Sequence, residues 1–183
     1  VDSGAATLSV SNYNTSTLTD ANLAKIKVDS TAISVVTVTG VSASDAALIA
    51  QDNHVGGVTL ASNVTGLSST QYTSAVASKI TNNNLTINGV ADQTRALALA
   101  SGDSHVAHVV LTGTPTFTQT YSAFTAQGNA AALAKIDNLS VANFTVTEVA
   151  AANADTIAAN GAVDYVTLAS NVTGLSSTQY TSA

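Results

Sequence analysis

The chain has no cysteine, methionine or tryptophan, and its one proline is Pro115. Without cysteine there can be no disulfide, no thiol nucleophile and no cysteine metal site. Charge is also scarce: 9% of the residues are charged, five basic against eleven acidic, for a net charge of −6. Lys25, Lys27, Lys79, Arg95 and Lys135 are scattered, which leaves no basic patch for nucleic acid. The same negative balance resists close approach to anionic lipid. No apolar run is long enough to span a bilayer. Aromatics amount to five Tyr and three Phe, so Ala, Val, Leu and Ile supply most of the 45% that is hydrophobic. Side chains this small fill narrow spaces, and thin stacked layers suit them better than one broad core. Polarity comes from Ser, Thr and Asn, a composition with too little charge and proline for a disordered chain.

What the chain does have is repetition. The phrase VTLASNVTGLSSTQYTSA stands at Val58–Ala75 and again, unchanged over 18 residues, at Val166–Ala183. A more divergent repeat lies inside that spacing: LAKI ends at Ile26, ASKI at Ile80 and LAKI again at Ile136. After each comes an alternating apolar segment, VVTVTGV (Val35–Val41), LTINGV (Leu85–Val90) and FTVTEV (Phe144–Val149). An Ala-rich run follows each one, and then a short β-type segment, VTL at Val58–Leu60, VVL at Val109–Leu111 and VTL at Val166–Leu168. The units are residues 6–57, 58–108 and 109–165, with 166–183 breaking off part-way. The start at Val1-Asp2-Ser3-Gly4, which has neither the basic nor the apolar part of a signal peptide, and the interrupted repeat lead us to expect a piece of a longer chain.

Each unit reads strand, loop, helix, strand, helix. The strands are expected from β-branched residues in alternation. A helix is expected over Ser69–Ile80, where Tyr72, Val76 and Ile80 share a face, and over Thr125–Ile136, where Ala126, Ala130, Leu133 and Ile136 do the same. Ser69 and Thr125 are the expected N-caps, each worth about 1 kcal/mol, and Ser42 with Asp45 has the spacing of a capping box. Strands alternating with helices favour parallel pairing. The expected fold class is therefore α/β: a repeat solenoid with a parallel β-sheet on one side and short helices on the other, leucine-rich-repeat-like without the leucine-rich consensus. A flat doubly wound domain is the rival arrangement.

The segment from Val109 to Gly161, VVLTGTPTFTQTYSAFTAQGNAAALAKIDNLSVANFTVTEVAAANADTIAANG, resembles a repeat of very large secreted bacterial surface proteins, of adhesin or surface-layer type. In that group a Thr-rich strand pair leads to an Ala-rich helix ending in LAKI, and haemolysin-type calcium repeats often accompany it. The resemblance runs from about Leu8 to the end of the chain. It implies an extracellular structural role as stalk, surface layer or filament. The GGxGxD nonapeptide is absent, so the resemblance carries no calcium ligands to any residue here.

The chemistry-bearing residues are few. His54 and His105 each stand just before a VTL-type strand, and His105-x-x-His108 has the look of a metal pair, but Asp103 is the one further ligand nearby. The plain reading places all three histidines at turns or on the surface. Asp20, Asp45, Asp92 and Asp155 fall at expected helix starts, where a negative charge suits the helix dipole. Asp52-Asn53 and Asp103-Ser104 sit in turns between coils, and Asp52 and Asp103 are the calcium candidates, calcium being the one cofactor considered. Neither GxSxG, GxGxxG nor GxxxxGK occurs, so no enzyme is expected. Thr17/Thr19, Thr37/Thr39, Thr116/Thr118 and Thr145/Thr147 each put two hydroxyls on one strand face, as an ice-binding array would, or as any exposed sheet would. The six Asn-x-Ser/Thr sequons, at Asn14, Asn63, Asn84, Asn138, Asn143 and Asn171, arise readily in so Asn-, Ser- and Thr-rich a chain.

Together these readings anticipate an extracellular structural repeat protein of a bacterial surface, self-associating into a filament or layer. Its partners would be copies of itself or neighbouring repeats, with no nucleic acid and no membrane span. The alternative is an adhesin stalk or a binding module with a glycan- or ice-binding Thr-rich face.

Overall fold

The computed structural model describes residues 6–9, 11, 13, 27–28, 31–32 and 35–176. Its strands are β1 (Ala6–Ser9), β2 (Lys27–Val28), β3 (Thr31–Ala32), β4 (Val36–Val41), β5 (Val55–Leu60), β6 (Gly66–Ser68), β7 (Leu85–Val90), β8 (Val106–Leu111), β9 (Thr116–Thr120), β10 (Asn143–Val149) and β11 (Tyr165–Leu168). The helices are α1 (Ala46–Ala50), α2 (Ser74–Lys79), α3 (Gln93–Gly102), α4 (Tyr121–Thr125), α5 (Gln127–Ala134) and α6 (Ala154–Ala158), with single 3-10 turns at Leu139–Val141 and Ala151–Asn153.

The strands form three small parallel sheets, in the orders β1-β4-β5, β6-β7-β8 and β9-β10-β11, and a β2-β3 antiparallel pair. One plan is used three times. In each sheet the second and third strands are joined through a helix: β4-α1-β5, β7-α3-β8 and β10-α6-β11. Each link is long enough for the helical crossover that parallel neighbours require. The described strands thus make three separate sheets interspersed with helices, where the sequence suggested one sheet along one side.

The second strand of each sheet carries the same irregularity. Gly40 (φ 74°), Gly89 (φ 73°) and Glu148 (φ 59°) occupy the fifth position of V-T-V-T-G-V, L-T-I-N-G-V and F-T-V-T-E-V. At this point the pairing slips by a residue in β4-β5, between Thr39 and Val41, and in β10-β11, between Val146 and Val149. A left-handed residue in a strand is how a bulge turns the backbone, and glycine enters that region without cost.

Helix starts follow local hydrogen-bond chemistry, and two expected starts move. Helix α2 begins at Ser74, capped by Thr73, whose hydroxyl accepts from Val76 N–H at 3.3 Å. The residues before it form a separate turn, in which Ser68 Oγ accepts from Gln71 N–H and Gln71 Oε1 from Ser68 N–H. This reciprocal closure satisfies the amides that a longer helix would have used, so Ser69 is not a cap. Thr125 likewise ends α4, which Thr120 caps, and α5 starts at Gln127 without a side-chain cap. The Ser42–Asp45 box forms in part: Ser42 Oγ accepts from Asp45 N–H at 3.3 Å and donates to its carboxylate at 2.6 Å. Asp92 caps α3, its Oδ1 accepting from Arg95 N–H at 2.8 Å, and Asp155 lies in the first turn of α6. Asp20, Thr17, Thr19, Asn14 and the LAKI ending at Ile26 lie outside the described residues.

The chain divides into two compact units. One comprises the described residues up to 87 with 104–107, the other residues 88–103 with those from 108 onward. In the first unit Val36, Val38, Val41, Val55, Val58 and Leu60 of one sheet face are buried, with Ile49 of α1, Tyr72 and Val76 packed among the buried residues. In the second, Phe144 contacts the rings of Phe117 and Phe124, each 5.6 Å away. Among the described residues Gln119 of β9 is the buried polar side chain in this unit, and it exchanges hydrogen bonds with Asn129 at 3.1 and 2.9 Å.

Candidate functional site

Two recurring features place side chains with chemistry: the turn before each third strand, and the closure of that strand's outer edge. The turns are Asp52-Asn53-His54, Asp103-Ser104-His105 and Asn160-Gly161-Ala162. In the first, Asp52 Oδ1 accepts from His54 N–H at 2.9 Å, and Asp52 O accepts from Val55 N–H at 3.1 Å. Asn160 repeats both contacts, its Oδ1 accepting from Ala162 N–H at 3.0 Å and its carbonyl from Val163 N–H at 2.9 Å. A short side-chain acceptor bonding two residues ahead is the reason Asp and Asn begin such turns. The turn's last carbonyl then feeds the sheet: His54 O accepts from Val36 N–H and His105 O from Leu85 N–H, at 2.8 and 2.9 Å.

The Asp52 turn gathers the densest polar cluster. Tyr13 Oη donates to Asp52 Oδ2 at 3.0 Å, His54 Nδ1 lies 3.0 Å from Oδ1, and Lys79 Nζ donates to Asp52 O at 2.8 Å. Burial pushes the Asp52 carboxyl upward, but the His54 amide, the Tyr13 hydroxyl and the His54 ring outweigh it and hold the group below the usual carboxylate range. Burial, then the bond and charge of Asp52, push the Tyr13 hydroxyl up to about 12. Both Asp52 oxygens therefore already accept hydrogen bonds, and an ammonium sits on its carbonyl. Calcium at this turn would have to displace Tyr13 and His54 and tolerate Lys79. Asp103 is half-buried at the end of α3, and it too has an interaction partner.

The histidines stand where the sequence put them, before or within the third strands, but with separate partners. His105 Nδ1 lies 3.0 Å from Asn82 O and 3.1 Å from Asn83 Oδ1. His108 Nδ1 lies 2.7 Å from Asp137 Oδ1 in an exposed pair. Among the described residues no group of three His, Asp or Glu side chains is arranged to hold a metal ion. Sequence reasoning missed Tyr13, Lys79 and Asp137 as partners. Lys79 had a visible signal, being the lysine of the repeated xxKI segment.

That segment makes the second feature. Ile80 pairs in parallel with Val58, and Ile136 with Val109, so each Lys-Ile step adds one residue to the outer edge of a third strand. Thr81 N–H donates to Val58 O at 2.9 Å, and Asp137 N–H to Val109 O at 3.0 Å. Two residues past each isoleucine stands an asparagine. Asn82 Oδ1 accepts from Leu60 N–H at 2.7 Å; Asn138 Oδ1 accepts from Leu111 N–H at 2.7 Å while its Nδ2 donates to Leu111 O at 3.0 Å. The side-chain amide replaces the next strand residue and closes the edge.

Threonines run in register across two sheets. Ser9, Thr39 and Thr59 are paired in β1-β4-β5, and Thr59 Oγ1 lies 2.7 Å from Thr81 Oγ1. Thr118 pairs with Thr145 and Thr120 with Thr147 in β9-β10. Among the described residues no helix is long and apolar enough to cross a membrane. Comparison of the chain with protein-family models, with curated proteins and with solved structures returned no match.

Proposed function

We propose that the chain is a structural repeat region of a bacterial cell surface, outside the cell, whose units continue one another as a β/α solenoid and associate into a filament or layer. The observation that carries this reading is the threefold use of one pairing plan, with a Lys-Ile segment closing the edge of the strand before it in two of the three sheets. Units that pair by backbone with their neighbours in sequence can be extended by adding more of the same unit. The polar side chains support the reading as well: those at the turns serve turns, caps and edges, with no reacting centre among them. In this role the protein is not an enzyme and needs no cofactor, and calcium at Asp103 would be an ordering ion. Sedimentation over a wide concentration range tests the proposal. A self-associating region shows growing assemblies, and a chain that stays monomeric at all concentrations contradicts it.

The in-register threonines favour a second reading, a stalk or binding module that offers a hydroxyl array to glycan or ice. Strand spacing sets such rows about 4.8 Å apart. Ice-growth arrest lost on substituting Thr39 and Thr59 would favour it, and unaltered ice growth in the parent chain would remove the ice form of that reading.

A further inference from the structure

We propose that Asn160 is a site of spontaneous covalent modification. With Gly161 it closes to a succinimide, releases ammonia and opens to aspartate and isoaspartate, so that this turn acquires the carboxylate that Asp52 and Asp103 carry in the other two. The chemistry does not depend on whether the chain self-associates.

Asn-Gly occurs twice in the chain, at Asn88-Gly89 and Asn160-Gly161, and the fold treats the two pairs differently. The following glycine matters because its main-chain nitrogen is the nucleophile, and a Cβ beside that nitrogen would crowd and stiffen its approach to the side-chain carbonyl. Asn160 and Gly161 are both exposed, in the turn between α6 and β11. Asn160 Oδ1 accepts from Ala162 N–H at 3.0 Å. This bond draws the side-chain carbonyl over the Gly161 peptide. It also polarises that carbonyl, and the same N–H faces the oxyanion that forms when Cγ is attacked. Among the described residues the Gly161 N–H makes no hydrogen bond, so its proton is open to solvent base. Apart from its chain neighbours, no atom lies within 4 Å of the place a Cβ at Gly161 would take, which leaves the backbone room to turn as the ring closes.

Asn88 is exposed too, but it is the fourth residue of β7, the central strand of its sheet. Extended backbone turns the next amide away from the side chain of the same residue. Gly89, at φ 73°, also has an interaction partner. Ring closure there requires the strand to leave the sheet.

In the first step the lone pair of Gly161 N attacks Asn160 Cγ while the N–H proton passes to solvent. The Cγ–Nδ2 bond breaks, and Nδ2 takes a proton from water and leaves as ammonia. Water then opens the imide. Addition at Cγ, with loss of its bond to Gly161 N, gives aspartate. Addition at the former main-chain carbonyl carbon, with loss of that carbon's bond to Gly161 N, gives isoaspartate. Overall a water is consumed, an ammonia is released and a negative charge appears. The aspartate product keeps the acceptor for Ala162 N–H, as Asp52 Oδ1 accepts from His54 N–H at 2.9 Å. Isoaspartate routes the main chain through the former side chain, and the carbonyl that accepts from Val163 N–H at 2.9 Å becomes a carboxylate outside it.

The test incubates the purified chain in mildly alkaline buffer and follows both asparagines by peptide mass spectrometry, with fragmentation that separates aspartate from isoaspartate. In the folded chain Asn160 converts at least about fivefold faster than Asn88, and isoaspartate is among its products. In urea, where neither pair is held by the fold, the difference between them closes. Gly161→Ala, for which the turn has room, slows conversion at Asn160 at least about fivefold and leaves Asn88 as it was. Circular dichroism checks that this variant folds; if it does not, the comparison of folded with urea-unfolded parent chain carries the test. Equal rates at the two asparagines in the folded chain, or an Asn160 that reacts only in urea, overturns the proposal. Conversion that a folded Gly161→Ala does not slow, or a product that is aspartate alone, overturns it as well, since either excludes attack by the Gly161 nitrogen.

Discussion

Replacing Glu148 by glycine should make the protein more stable. Glu148 stands at φ 59°, in the left-handed region, where Gly40 and Gly89 stand in the equivalent positions of β4 and β7. An L side chain there costs about 1–2 kcal/mol through the clash of Cβ with the following carbonyl. Glutamate to glycine removes that strain and gives back about 0.5–1 kcal/mol as extra freedom of the unfolded chain. The Glu148 side chain is exposed, so little else is lost. The net gain is about 0.5–1 kcal/mol, which for a urea slope of roughly 2 kcal/mol/M moves the unfolding midpoint up by about 0.4 M. Gly40→Ala and Gly89→Ala should each move it down by a similar amount. Urea titrations followed by far-ultraviolet circular dichroism measure all three. An unchanged or lowered midpoint for Glu148→Gly, together with a neutral Gly40→Ala, would refute the claim that this position needs a left-handed backbone in all three sheets.

Further tests address the edges, the buried amides and the Asp52 cluster. Asn138→Ala removes both bonds to Leu111 and should cost about 1–2 kcal/mol in the same titration, whereas Asn143→Ala, an exposed residue, should cost less than about 0.5 kcal/mol. Asn129→Ala strands the buried Gln119 amide and should cost about 1–3 kcal/mol; adding Gln119→Leu should recover most of it, since position 119 faces inward from β9. Asp52 titrates below its unfolded value, so its contribution is complete above about pH 3.9 and disappears as the pH falls through the depressed folded value. Thermal melts of Asp52→Asn should show a shallower acid dependence than the parent. For Tyr13, raised to about 12, the sign is reversed: its contribution is complete below about pH 10 and disappears as the pH rises toward 12. Tyr13→Phe should remove that alkaline loss, and one phenolate absorbance step near 12 with it.

Much of the backbone plan was legible because β-branched alternation is a local signal. LTINGV coincides with β7, FTVTEV falls within β10, and the VTL and VVL segments lie inside β5, β8 and β11. The Ala-rich runs between them do hold α1, α3 and α6. Of the first strands, Thr116–Thr120 showed only through its Thr116/Thr118 pair, while Ala6–Ser9 and Gly66–Ser68, four and three residues long, escaped notice. The Lys-Ile segments were read as helix ends. Their helical spacing is real up to Lys79 and Ala134, but Ile80 has strand dihedrals and it bridges to Val58. Periodicity cannot register that change, because the isoleucine points inward in both roles. At the candidate sites the sequence located Asp52, His54 and His105 within their turns, whereas His108 lies inside β8. It could not show that Tyr13, 39 residues away, and Lys79, 27 away, would occupy the Asp52 turn, because those contacts exist only once the sheets have formed.

Electron microscopy of the purified chain, in millimolar calcium and separately in chelator, tests the central claim most directly. The account predicts ordered fibres or layers in chelator as well as in calcium, since the edge closures at Ile80 and Ile136 are made by backbone pairing. Dispersed single particles in both conditions, at every concentration tested, would contradict it.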